Sequence, residues 1–119
     1  MKILPPTLRK KKRYIAFEVV SHNTVSREDL IREIFSAASS LVGDVGSSEC
    51  EIRLLQYNFP IGIIRCRHKK AGISRAILAT VNRVQNEPVA INVLGVSGTI
   101  SNATQKYVDK VNTFKFNEL

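Results

Sequence analysis

Apolar and polar positions along the chain change period several times, and each change marks an element. Residues 14–21, YIAFEVVS, are rich in β-branched and aromatic side chains and predict a strand. Ser26-Arg27-Glu28-Asp29 then reads as a helix start, with Ser26 capping an orphan amide and the acids in the first turn. Leu30, Ile31, Ile34, Phe35, Ala38, Leu41 and Val42 recur at helical spacing, and Gly43 and Gly46 stop the run. Residues 50–58, CEIRLLQYN, and 61–67, IGIIRCR, are strand-like around a short Phe59-Pro60 turn and predict a hairpin. A second amphipathic helix follows Gly72 through Ile73, Ala76, Ile77, Thr80, Val81 and Val84. It is predicted to end near Asn86-Glu87, where Pro88 blocks its continuation. Residues 89–96, VAINVLGV, predict a fourth strand. A shorter third helix is expected from about Asn102 to Val111, with Ala103, Tyr107, Val108 and Val111 on one side.

The predicted order, β-α-β-β-α-β plus a helix, is the split-βαβ or ferredoxin-like pattern. The expected architecture is therefore α+β: a four-stranded antiparallel sheet, two crossover helices on one face and an added C-terminal helix. Strand alternation turns Ile15, Phe17, Val19, Ile52, Leu54, Ile64, Cys66, Val89, Ile91 and Val93 toward the helices. Tyr14, Ala16, Glu18, Arg53, Leu55, Arg65, Arg67 and Asn92 fall on the opposite face, part of which the last helix is placed to cover.

A length of 119 residues with 44% hydrophobic and 24% charged positions fits one globular domain. No apolar run approaches the ~20 residues of a membrane helix, so no membrane association is expected. Pro5-Pro6 interrupts the short apolar start, which does not read as a signal peptide. Cys50 and Cys66 make neither a disulfide framework nor a metal site, which points to a reducing, cytoplasmic setting.

Charge adds the most. The net +8 is concentrated in two stretches without an acid: Lys2 with Arg9, Lys10, Lys11, Lys12 and Arg13, and Arg65, Arg67, Lys69, Lys70 and Arg75 around His68. The rest of the chain is mildly acidic. Charge kept for solubility intersperses both signs, whereas clustering of this kind points to a polyanion. The chain accordingly divides into a basic N-terminal arm, 1–13, and a single RNA-binding domain, 14–119.

Catalytic chemistry is hard to place. His22 sits at a strand end beside Asn23, and His68 lies within a basic run; neither has a ligand-like neighbour, so no metal site is expected. Cys66 falls on the inward face. Glu28, Asp29 and Glu33 are explained by the opening turns of a helix. Gly95-Val96-Ser97-Gly98-Thr99 lies between strand and helix, yet it lacks the second glycine of a nucleophile elbow, and no histidine follows it. It is either a glycine-permitted turn or, through Gly95, Ser97, Gly98 and Thr99, a phosphate contact. An RNA recognition motif would carry aromatics on its third strand, where this chain has Arg65 and Arg67. Binding directed at the RNA backbone is the expectation, with no catalytic residue in this chain.

The stretches LPPTLRKKKRYIAFEV, residues 4–19, and LGVSGTIS, residues 94–101, resemble two distinctive segments of the small ferredoxin-like protein subunit of archaeal ribonuclease P, component 2, which has eukaryotic relatives in ribonucleases P and MRP. Residues 22–61 match no such segment. The resemblance implies a subunit of the ribonucleoprotein endonuclease that removes the 5′ leader of precursor tRNA, with the RNA as catalyst using Mg²⁺ and no cofactor bound by this chain. Implied partners are the ribonuclease P RNA, a larger TIM-barrel-like subunit in a heterodimer or heterotetramer, other ribonuclease P proteins and, indirectly, precursor tRNA. The basic run Arg9 to Arg13 matches the family's RNA-contacting segment, and Gly95 to Ile100 its characteristic turn. A general or ribosome-associated RNA-binding module would share the basic clusters and lack the paired segments. A ferredoxin-like ligand-sensing domain would give no reason for the unopposed charge. The amphipathic first helix and the terminal stripe also carry more apolar surface than one small domain needs, which points to a protein interface.

Overall fold

The computed structural model describes residues 11–108. Its elements are β1 (Lys12–Ser21), α1 (Arg27–Cys50), β2 (Arg53–Asn58), β3 (Ile61–Arg67), α2 (Ala71–Thr80), β4 (Arg83–Val84), β5 (Glu87–Ser97) and α3 (Ile100–Ala103). A 3-10 turn over His68–Lys70 leads into α2, and a π-helical turn over Thr104–Val108 follows α3. The strands form one antiparallel sheet in the order β2-β3-β1-β5-β4. This is an α+β fold with five strands instead of the expected four.

The extra strand replaces the expected last turns of α2. Thr80 turns its hydroxyl back onto the Ile77 carbonyl at 2.8 Å, and Val81 is already extended. Gln85 and Asn86 both take positive φ, which is the hairpin turn that matches strand twist, and Arg83 pairs with Pro88. Val81 and Val84 still reach the core, but from a strand edge.

Ser26 caps α1 as expected, its hydroxyl accepting from the Asp29 amide at 3.2 Å. Gly43 leaves helical geometry at φ 76°, ψ 174°, yet the helix resumes and runs to Cys50, where Glu51 closes it in the left-handed region. Cys50 thus ends a helix and does not begin a strand. Ile34 and Ala38 of α1 are buried with Ile77 and Leu78 of α2 against Ile15, Phe17, Val19, Ile64 and Cys66 of the sheet. Gly62 makes room for this packing: a Cβ there would lie 2.6 Å from the Phe17 ring. Phe35, Leu41 and Ile73, expected on apolar stripes, are exposed.

On the opposite face Ala16 and Ile63 are buried under Ala103 of α3, with Tyr14 and Leu94 beside them. The last helical segment therefore covers part of this face, as expected; it begins at Ile100, and residues 109–111 of the predicted helix lie outside the described residues. Two bulges adjust the strands to both faces. One places Leu94 as an extra residue in β5, between the pairs Ala16–Gly95 and Phe17–Val93. The other places Leu55 as an extra residue in β2, between Leu54–Ile64 and Gln56–Ile63.

Tyr57, beyond the β2 bulge, joins the main core and donates its hydroxyl to the Val25 carbonyl at 2.6 Å. Burial pushes its phenol from 10.0 up to about 12. The folded state thus holds the proton more tightly than the unfolded chain. The contribution is intact below pH 10 and is lost as pH rises from 10 to about 12. Chemical denaturation across this range should show stability falling with pH. Tyr57→Phe should flatten that fall while costing about 1 kcal/mol at neutral pH; an unchanged alkaline profile would contradict the assignment.

Candidate nucleic-acid interface

The two basic stretches lie more than fifty positions apart in sequence, and the β1–β3 ladder joins them. Lys12 opposes Arg67, Arg13 opposes Cys66 and Tyr14 opposes Arg65. One step beyond the strands, the His68 amide donates to the Lys11 carbonyl at 2.9 Å. Lys11, Lys12, Arg13, Arg65, Arg67, Lys69 and Lys70 therefore gather at one end of the sheet. Strand alternation splits them between layers: Lys12, Arg65 and Arg67 lie on the face that carries α3, while Arg13 lies on the helix side opposite Cys66.

The Gly95–Thr99 segment leaves the sheet at this same end, because Ser97 pairs with Tyr14. Ser97 is buried, and the Thr99 hydroxyl accepts from the Asn102 amide at 3.1 Å, so that side chain is used as a helix cap. Gly98 is exposed, and a Cβ there would stand 3.7 Å from the Arg13 guanidinium. Arg75 is exposed one turn into α2. Arg9 and Lys10 lie outside the described residues.

Two acids that sequence patterning does not single out set the local balance. Glu51, the residue closing α1, is ion-paired with Lys12, and Glu49 lies 3.7 Å from Lys70. Lys11 and Lys69 are exposed and have no carboxylate partner among the described residues. Arg53 is a further residue that the sequence reading leaves out of the site: it stands directly opposite Arg65 and extends the cationic row to the sheet edge. A signal for it exists, since alternation places both arginines on one face, but their direct opposition depends on the Leu55 bulge.

Acid–base and thiol chemistry find no foothold at this end. Cys66 is fully buried, and burial pushes its thiol up, against smaller downward pulls from Ser74, Lys12 and Arg13. His22 and His68 are both exposed. Among the described residues, no three His, Cys, Asp or Glu side chains come together as a metal site, and no helix is long and apolar enough to cross a membrane. What the end of the sheet offers is a dense array of fixed positive charge on a rigid ladder, with Lys11, Lys69 and the edge residue Arg53 exposed and Lys12, Arg13, Arg65, Arg67 and Lys70 half-buried.

The model of the Rpp14/Pop5 family matches residues 13–108. The chain is 46% identical over 114 residues to ribonuclease P protein component 2 of Methanosarcina mazei, covering 96% of this chain and 98% of that protein. It is 39% identical to ribonuclease P protein component 2 of Methanothermobacter thermautotrophicus, over 91% of this chain and 94% of that one. A chain in the cryo-EM structure of yeast ribonuclease MRP superposes with a TM-score of 0.65 at 12% identity, over 92% of this chain and 95% of that chain, which is a likeness of fold.

The charge arrangement predicts unequal lysines. In titrations of an unstructured RNA, Lys69→Ala should weaken binding more than Lys70→Ala, whose charge Glu49 already offsets. Glu49→Gln should strengthen it. Lys69→Ala should also flatten the log–log salt dependence by roughly 0.7 to 0.9, the slope that goes with neutralising one phosphate. Equal effects of the two lysine variants would contradict the arrangement.

Proposed function

The chain belongs to the Rpp14/Pop5 family, and from that premise we propose that it serves as a protein subunit of ribonuclease P, the endonuclease that removes the 5′ leader of precursor tRNA. The observation that carries this reading is the meeting of both basic segments at one sheet end in a chain matched almost end to end by component 2 proteins. The subunit is itself non-catalytic. The RNA cleaves, with Mg²⁺, and the protein offsets phosphate repulsion so that the RNA holds its active shape at lower metal concentration.

Arg9 to Arg13, with residues 1–13 as a basic arm on a domain of 14–119, and Arg65, Arg67, Lys69, Lys70 and Arg75 are the RNA contacts in this reading. The exposed Gly98 in the turn from Gly95 to Thr99 offers a further amide beside Arg13. Set apart from the two-residue β4, the strand order β2-β3-β1-β5 supports a ferredoxin-like body. The exposed side of α1, with Phe35, Leu41 and Val45, supports an interface with the larger ribonuclease P subunit or a second copy in a heterodimer or heterotetramer. Other ribonuclease P proteins and, indirectly, precursor tRNA complete the assembly, in the cytoplasm.

Reconstitution tests this reading. The purified chain should leave precursor tRNA intact at any Mg²⁺ concentration, and cleavage should appear when the ribonuclease P RNA and the larger subunit are added. Alanine in place of Lys11 and Lys69 should raise the Mg²⁺ needed for half-maximal rate, with activity restored at high Mg²⁺. Cleavage by the chain alone, or an RNA whose activity ignores the chain, would overturn the proposal.

A further inference from the structure

Beyond the general cationic end, one transverse row of the sheet is built as a compact anion site. Arg53 of β2 opposes Arg65 of β3, Arg65 opposes Tyr14 of β1, and Tyr14 opposes Ser97 of β5. Directly opposed residues share a face, with Cβ atoms about 5 Å apart, and like charges placed this way repel. Among the described residues no carboxylate is ion-paired with either arginine. The nearby acid Glu51 is engaged by Lys12, and Glu18, the acid of β1, stands opposite Ile61 and Asn92, four residues along the strand from Tyr14.

Arg65 adds a second, independent observation. Its side chain is half-buried, and its Nε is buried without a hydrogen-bond partner. An unpaired donor of this kind costs about 1–3 kcal/mol and is rare in folded proteins. The next row along the same face is the apolar floor of Ala16, Ile63 and Ala103, which keeps water from that side. Tyr14, packed against the floor, stands directly opposite Arg65 in the ladder. The exposed Arg53 completes the site from the open edge.

We propose that Arg53 and Arg65 clamp a single phosphodiester of the RNA backbone across the α3-bearing face of the sheet. The inference rests on the reading of this chain as an RNA-binding subunit and narrows it to one phosphate. One non-bridging oxygen accepts from the outer amines of the Arg65 guanidinium, whose buried Nε lies on the protein side, and Arg53 holds the other oxygen. The bulge at Leu55 is what makes the clamp. Hairpin pairing continued from Asn58–Ile61 without it would set Arg53 opposite Cys66, on the core side.

The test follows the arginine Nε–Hε signals of the full chain by nitrogen–proton NMR during titration with an eight-nucleotide oligouridylate and, separately, with inorganic pyrophosphate. The oligouridylate should shift the Arg65 Nε–Hε signal saturably. Arg53→Gln, at an exposed position, should weaken the affinity read from that signal about tenfold or more. Arg65→Lys, which keeps the charge and removes the fork, should weaken the affinity read from the Arg53 Nε–Hε signal as much. Arg32→Gln, on the outer side of α1, should leave both readings unchanged. A response to pyrophosphate alone would make this a free-phosphate site and overturn the backbone assignment. An unmoved Arg65 signal, or wild-type affinity in Arg53→Gln, would overturn the clamp. These readouts need no ribonuclease P activity, so failure of the clamp and failure of the functional reading are separable.

Discussion

The antiparallel ladder between β1 and β3 is the constraint on which the rest of the molecule depends. β1 is an interior strand, hydrogen-bonded to β3 on one side and β5 on the other. Its residues Ile15, Phe17 and Val19 are buried on the helix side and Ala16 on the other. A slip of one residue would exchange these faces, exposing Phe17 and driving Glu18 into the core. Core packing therefore fixes the register, and the register in turn fixes Lys12 opposite Arg67 and Tyr14 opposite Arg65. The cationic end is held in place by hydrophobic burial several residues away, and its like-charge repulsion is tolerated because that burial outweighs it. Glu49 and Glu51, delivered by the end of α1, take up part of the field.

This division gives the domain a fixed charge array suited to the supporting role proposed for it. The helix layer and the sheet share one core, which makes the charge array rigid, and a rigid array gives up little entropy when it meets a phosphate backbone. The exposed lysines at the strand ends supply long-range attraction without sequence preference. In the clamp proposed above, the Arg53–Arg65 row adds a directional contact beside the apolar floor of Ala16, Ile63 and Ala103. Cys66, at the same end, is a buried thiol that packs the strand.

Much of this is legible in the sequence because period and charge are local. The strand and helix periods locate β1, α1, β3 and β5, the Ser26 cap is readable from its residue type, and both basic stretches stand out without any fold. What escapes depends on irregularity or on distance. Gly43 does break helical geometry, but nothing in Asp44 to Cys50 forbids a restart, so the helix reaches further than its glycines imply. Val81 and Val84 fit a helical stripe and a strand edge equally well, and the Gln85-Asn86 turn decides between them. The bulge at Leu55 leaves no residue signature. Strict alternation from Ile52 therefore puts Arg53 on the correct face, yet it would turn Tyr57 outward, whereas Tyr57 packs into the core. The pairings of Lys12 with Glu51 and of Lys70 with Glu49 are tertiary and have no local trace.

The central claim is that residues far apart in sequence form one RNA-facing surface because β1 and β3 are zipped together. Tethered hydroxyl-radical probing tests it most directly, with an iron chelate attached at position 11 in one preparation and position 69 in another, each bound to the ribonuclease P RNA. The account predicts overlapping cleavage of one RNA region from both positions. Two separate regions, or no cleavage from either, would contradict it.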